Sequence, residues 1–201
     1  MIAIIDYDAG NIASVQKAFQ YLGKEVIVTR NPKEILTADK VVLPGVGAYA
    51  DCMNKLHLYQ LCDTIHQAVN KGIPFLGICL GLQLMFDYSE EGGHVDGLSV
   101  LRGKIIRIPN SDDLKIPHIG WNSIKIQPNS RLFKGIDDDA YVYFVHSYYL
   151  KAFDESIVAA TTEYSTHIHA AIEKDNIFAC QFHPEKSGDV GLQILSNFAN
   201  V

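Results

Sequence analysis

The chain carries four cysteines in 201 residues, and no two of them stand in a CxxC pair. A redox dithiol, or a structural zinc built on paired thiolates, is therefore not expected. Cys52, Cys62, Cys79 and Cys180, left unpaired, predict a reducing, cytoplasmic setting. Positive charge is also short: 17 Lys+Arg against 23 Asp+Glu leave a net charge of −6, and no basic run offers a nucleic-acid surface. No apolar run approaches the ~20 residues that span a bilayer, so no membrane segment is expected. Met1 leads straight into Ile2-Ala3-Ile4-Ile5 without a basic n-region or cleavage site, so no signal peptide is expected either. Repeats, low-complexity tracts and linkers are missing too. With 48% apolar residues the chain can build one sizeable core, and a single domain over residues 1–201 is expected.

What is present alternates. Apolar runs at Ile2–Asp6, Glu25–Thr29, Lys40–Leu43 and Ile73–Ile78 read as strands. Helical patterns lie between them at Ile12–Leu22 and Leu56–Asn70, with a short helix or loop at Asn31–Leu36. This order predicts an α/β fold: a doubly wound, mostly parallel central sheet with ligands at the carboxyl ends of its strands. After Tyr88 strands follow in quick succession, at Ser99–Ile108, Asn122–Gln127, Tyr141–Val145, Ile157–Thr162, His169–Glu173 and Ile177–Phe182. They predict an antiparallel extension of the sheet or a small second layer, closed by a helix near Val190–Ala199.

The chemistry gathers at Gly77-Ile-Cys79-Leu-Gly81, where an apolar strand meets a helical pattern. A sharp strand-to-helix turn needs small neighbours, because its backbone is strained and closely approached. Such a turn lifts Cys79 to the sheet's carboxyl end at a helix N-terminus, a setting that favours the reactive thiolate. A lone thiol is more often an inert small hydrophobe. Glycine on both sides of the junction argues instead for a nucleophile. A nucleophile needs a base, and His183 ends the apolar run Phe178–Phe182. Pro184 keeps His183 extended, and residues two apart in extended chain share a side, so Glu185 is expected beside the imidazole. A carboxylate there accepts the Nδ1 proton and leaves Nε2 facing the thiol.

Gly77-Ile-Cys79-Leu-Gly81 with the distal Gln181-Phe-His183-Pro-Glu185 resembles the class I (triad-type) glutamine amidotransferases. The resemblance runs the length of the chain. It is nearest the glutaminase subunits that serve histidine biosynthesis. Asp6-Tyr-Asp-Ala-Gly-Asn11, Leu43-Pro-Gly-Val-Gly-Ala48, Lys115-Ile-Pro-His-Ile-Gly-Trp-Asn122, Tyr143-Phe-Val-His-Ser147 and His183-Pro-Glu-Lys-Ser187 carry it. Lys186 and the Pro-His-Ile-Gly-Trp-Asn segment count against the anthranilate synthase type, and the intact triad counts against a non-catalytic binding subunit. Asp8, Ser99, Ile119 and Gly188 depart from the residues usual at their positions.

The resemblance implies hydrolysis of glutamine by Cys79, His183 and Glu185, without metal or organic cofactor. It implies an oxyanion hole from the backbone of Leu80 and the Val46-Gly47 loop, and substrate contacts from Gln83 and the backbone at His146-Ser147-Tyr148. It also implies a heterodimer with a (β/α)8-barrel synthase/cyclase subunit, with Trp121, Asn122, Tyr143 and Lys186 near the ammonia exit. Other readings are weaker. Pro44-Gly45-Val46-Gly47 lacks the third glycine of a dinucleotide fingerprint. His167 and His169 share one side of a strand, which reads as a solvated face without the third ligand a metal would need. The imidazoles of His118 and His146 read as structural, His57 and His66 as surface residues, and His94 as a loop residue.

Overall fold

A computed structural model describes residues 1–8 and 11–201. Ala9 and Gly10 of the Asp6–Asn11 segment lie outside the described residues. In chain order the elements are β1 (Ile2–Ile5), α1 (Ile12–Tyr21), β2 (Val26–Thr29), α2 (Pro32–Thr37), β3 (Lys40–Gly45), α3 (Tyr49–Leu58), α4 (Leu61–Asn70), β4 (Phe75–Cys79) and α5 (Leu80–Leu84). There follow β5 (Tyr88–Ser89), β6 (Val95–Asp96), β7 (Gly103–Arg107), β8 (His118–Ser123), β9 (Lys125–Ile126), β10 (Tyr141–His146) and β11 (Tyr148–Ala152). The chain ends with β12 (Val158–Glu163), β13 (His167–Lys174), β14 (Ile177–Cys180) and α6 (Gly188–Ala199).

Strands β2-β1-β3-β4-β14 are parallel neighbours, and β13, β11 and β7 extend the same sheet in antiparallel fashion. Strands β8 and β10 pair separately as an antiparallel ribbon. Both readings of the second half are thus realised, an extension and a small second layer. The parallel strands are buried on both faces, which is why they read as continuous apolar runs rather than alternations. Ile5, Val41, Leu43 and Phe75 point to one side, against α3, α4 and α5. Ile2, Ile4, Val42, Leu76 and Ile78 point to the other, against Val15 and Phe19 of α1 and Ile194, Leu195 and Phe198 of α6. Helices on both faces make the sheet doubly wound.

Three expectations need correction. The helix expected over Leu56–Asn70 is two helices, starting earlier at Tyr49 and broken at Gln60, whose φ is 56°. Leu56 and Leu61 are both fully buried. Five residues of unbroken helix would turn them about 140° apart, so the break restores a common buried face. Strand β14 stops at Cys180 rather than Phe182. His183 is extended as expected (φ −101°, ψ 95°), but Pro184–Lys186 closes into a 3-10 turn instead of continuing as strand.

Candidate active site

Cys79 is the last residue of β4 and has φ 54°, ψ −110°, a conformation unfavourable for any residue with a side chain. The elbow is kept by what surrounds it. A Cβ on Gly77 would lie 2.8 Å from the Gly81 carbonyl oxygen and 2.8 Å from Met85 Sδ, and one on Gly81 would overlap the Leu43 carbonyl. Both glycines are demanded by close approach. Register then sets the neighbours: Gly45 at the end of β3 pairs with Cys79, and Cys180 in β14 pairs with Ile78. The Pro44–Gly47 loop and the chain after β14 are thereby delivered to either side of the sulfur.

His183 Nδ1 lies 2.8 Å from Glu185 Oε1, and both side chains are buried. A carboxylate only accepts, so Nδ1 carries the proton and Nε2 is the face left for the thiol. His183 and Cys79 line the same cleft. Burial on its own would lower the imidazole's pKa, but its interactions with Cys79 and Glu185 outweigh it and raise the value to about 10. The 3-10 turn, rather than extended chain, carries Glu185 back under the imidazole. Two supports were not legible beforehand. Asn11, at the start of α1, donates from Nδ2 to Glu185 Oε1. Ser187 donates from Oγ to His183 O at 2.6 Å and accepts from Tyr143 N–H at 3.0 Å.

The sulfur opens onto a cleft of about 330 Å³. Of the expected site residues, Val46, Gly47, Leu80, Gln83, His146, Ser147, Tyr148, His183 and Lys186 line it with Cys79. Leu80 opens α5, so its N–H is among the donors a helix's first turn leaves free. Gln83 spends its amide nitrogen on Tyr148 O and Gln181 Oε1, both at 2.9 Å. Glu91 also lines the cleft and is its one carboxylate; its Oε2 accepts the Tyr49 N–H at 3.0 Å. No motif marked it.

Trp121 and Asn122 lie elsewhere. They sit on β8 and line a separate surface recess with Ile119 and Tyr164. Trp121 is 55% exposed and meets Tyr143 edge-on at 5.8 Å between ring centroids. Only the backbone of Tyr143 reaches the site, its carbonyl accepting the His183 N–H at 2.9 Å. His118 and His146 form a buried pair, Nδ1 of the first 3.0 Å from Nε2 of the second. His146 Nδ1 donates to Tyr148 O at 2.9 Å, so its Nε2 must accept from His118 in the neutral pair. Burial holds their pKa values down to about 4 for His118 and about 3 for His146. His169 is not on a solvated face: it is buried, and its Nδ1 accepts the Ala152 N–H at 3.2 Å. His167 is the exposed one. Among the described residues no group of three or more His, Cys, Asp or Glu side chains is placed to hold a metal ion.

The profile of "Glutamine amidotransferase class-I" matches residues 3–201. The chain belongs to this family. It is 51% identical to the imidazole glycerol phosphate synthase subunit HisH of Geobacter metallireducens, over 98% of this chain and 97% of that one. To the subunit of the same name from Syntrophotalea carbinolica it is 50% identical, over the whole of both chains. A solved structure described as a glutamine amidotransferase superposes with a TM-score of 0.76, covering 99% of this chain and all of that one at 16% identity, which bears on the fold alone. Class I amidotransferases are enzymes, and the mixed sheet found here is their fold. Among the described residues no helix is long and apolar enough to cross a membrane.

Proposed function

We propose that this chain is the glutaminase subunit of an imidazole glycerol phosphate synthase, acting in the cytoplasm. Its role is to hydrolyse the side-chain amide of glutamine and pass the ammonia to a (β/α)8-barrel synthase/cyclase partner. That partner forms imidazole glycerol phosphate and an aminoimidazole carboxamide ribotide. The observation that carries the reading is the buried His183–Glu185 hydrogen bond in the cleft that Cys79 and His183 share, on a chain half identical throughout to named subunits of that synthase.

The substrate is a zwitterion with a neutral amide at its far end, and the cleft offers a group for each part. Glu91 supplies the negative charge for the α-ammonium. Backbone groups at His146-Ser147-Tyr148 face the α-carboxylate. The amide nitrogen of Gln83 is engaged by the protein, which leaves its Oε1 for the ligand. The Cys79 thiolate then attacks the carboxamide carbon, and the tetrahedral oxyanion is held by N–H groups of Leu80 and the Val46-Gly47 loop. The His183 imidazolium gives its proton to the departing nitrogen, ammonia leaves, and a thioester remains on Cys79.

The role of His183 reverses at that point, for a reason in its surroundings. Contact with Cys79 is one of the interactions that raise its pKa, and acylation removes that partner's charge, while burial still favours the neutral ring. The residue thus becomes a base. It takes a proton from water as the water attacks the thioester, and Glu185 stabilises the new imidazolium. Collapse releases glutamate and restores the thiolate. Lys186 and Tyr143, with Trp121 and Asn122 on the adjoining ribbon, mark the side from which ammonia leaves towards the partner. The test is release of glutamate by the chain with the synthase subunit and its acceptor ligand. Absence of glutamate from the assembled complex would overturn the reading.

A further inference from the structure

Gln181 is fully buried, and both ends of its amide are assigned by its neighbours. Tyr148 O, a backbone carbonyl, can only accept. It receives hydrogen bonds from His146 Nδ1 and from Gln83 Nε2, each at 2.9 Å. The nitrogen of Gln83 is therefore the atom turned inward, and it also donates to Gln181 Oε1 at 2.9 Å. Gln181 Nε2 is left facing the Cys79 sulfur at 3.8 Å. Flipping the Gln181 amide would set two NH2 groups against each other and an oxygen against the sulfur's lone pairs. Its backbone is fixed too, the N–H donating to Ala170 O at 2.8 Å.

We propose that Gln181 is a positioning residue for the nucleophile: it holds an amide N–H on Cys79 Sγ, so that the sulfur loses its proton more readily and stays at the foot of the cleft. The inference rests on the reading of Cys79 as the nucleophile. The need for such a donor is visible on the sulfur's other side. Cys79 Sγ donates to Val145 O at 3.8 Å, a contact that only the protonated sulfur can make. Once the proton leaves, that carbonyl repels the thiolate, and donors must outweigh it. The geometry makes Gln181 such a donor. Gln83 and Tyr148 O act through it, by fixing which way the amide points.

The titratable groups around the sulfur are few. His183 lines the cleft with it, and Glu185 bonds the imidazole from behind. Tyr7, which donates to Pro44 O at 2.6 Å, and Cys180 both interact with Cys79, and burial raises the pKa of each well above its ordinary value. Glu91, Lys186 and the neutral His146 line the same cleft.

The experiment is alkylation of the full-length chain by iodoacetamide across pH, with labelling at Cys79 followed by peptide mass spectrometry apart from Cys52, Cys62 and Cys180. In the wild type, Cys79 should react faster at neutral pH than the other three. If it does not, the nucleophile reading itself fails. In Gln181→Glu, which keeps an acceptor for Gln83 but has no N–H for the sulfur, the midpoint should rise by about one pH unit or more. Labelling at neutral pH should slow about tenfold. A folded Gln181→Glu protein with the wild-type midpoint, beside a reactive wild type, overturns this inference alone. If that variant does not fold, Gln83→Leu reads the same point by releasing the Gln181 amide: a raised midpoint supports the assignment and an unchanged one overturns it.

Discussion

The backbone N–H of His183 donates to the carbonyl oxygen of Tyr143 at 2.9 Å. Through this bond the base of the triad hangs from β10, the ribbon strand whose partner, β8, carries the exposed Trp121. Ser187 completes the joint, holding His183 O and Tyr143 N–H with one hydroxyl. Displacement of the ribbon is thus passed to the imidazole without an intervening loop.

Ser187→Ala should therefore lower kcat while leaving KM for glutamine nearly unchanged. It strands the Tyr143 N–H, while His183 O keeps the Lys186 N–H at 3.0 Å, a loss of about 1–3 kcal/mol in stability. Steady-state glutaminase rates and a denaturant melt check both. An unchanged kcat would mean that the Tyr143–His183 bond alone positions the base.

The triad predicts graded losses. Cys79→Ala should abolish glutaminase activity and leave folding intact, because the elbow is shaped by Gly77 and Gly81 rather than by the sulfur. Ammonia-driven synthesis by the complex should survive at high ammonium. Glu185→Gln should cost less than His183→Ala. It retains an oxygen for the His183 Nδ1–H but gives up the charge that stabilises imidazolium. Asn11 donates to that same oxygen, so Asn11→Ala should mimic a mild form of Glu185→Gln. Rates in the assembled complex decide the order, and equal losses for Glu185→Gln and His183→Ala would make Glu185 more than an orienter.

Much of this site was legible in the sequence, and the physical reason is local constraint. Glycines flanking Cys79 and proline after His183 leave signatures because backbone geometry restricts residue type. The doubly wound half was legible because strands buried on both faces read as apolar runs. Strand β11 was not, since alternation runs on from Tyr141 to Ala152 and only Ser147 marks the step from one sheet to the other. Nor could sequence show that Asn11 meets Glu185 across 174 residues, or that Glu91, a loop acid among others, faces the cleft. Gln181 stands in the motif with His183, two residues before it and on the same side of an extended chain, but the motif does not show what its amide touches.

The His118–His146 pair should make the fold labile to acid. Both are buried neutral with folded pKa values of about 4 and about 3, below the unfolded value near ~6.5. Between those limits the unfolded chain binds protons that the folded chain refuses, so stability falls as pH drops from about 6.5 towards 4. The loss should be on the order of a few kcal/mol across that window. His118→Phe, which keeps the stacking against Phe144 and Tyr164, should flatten this slope. Denaturant midpoints at a series of pH values measure it, and an unaltered slope in the variant would assign the acid sensitivity elsewhere.

The last prediction concerns the Pro44–Gly47 loop. Its neighbour Leu80 is fixed at the start of α5, whereas Val46, beyond the firm Tyr7 bond to Pro44 O, is held by a weak contact, Cys52 Sγ to Val46 O at 3.6 Å. The isolated chain should therefore be a poor glutaminase, with the loop's oxyanion donor set only when the synthase partner docks. A missing oxyanion donor costs ~10²–10³ in rate, enough to silence the enzyme with its triad intact. Docking can bias the loop only through contacts that differ between its two states. Glutamine turnover should rise by orders of magnitude when the partner and its acceptor ligand are added. Gly47 is the position to test. It has φ 104° with open space around an added Cβ, so Gly47→Ala perturbs the loop backbone and nothing else. At Gly45 a Cβ would meet Tyr7 Oη at 2.7 Å and Gly81 N at 2.9 Å, which would disturb the elbow as well. Gly47→Ala should shrink the activation while leaving heterodimer affinity nearly unchanged. Full activity from the purified chain alone would sink this account.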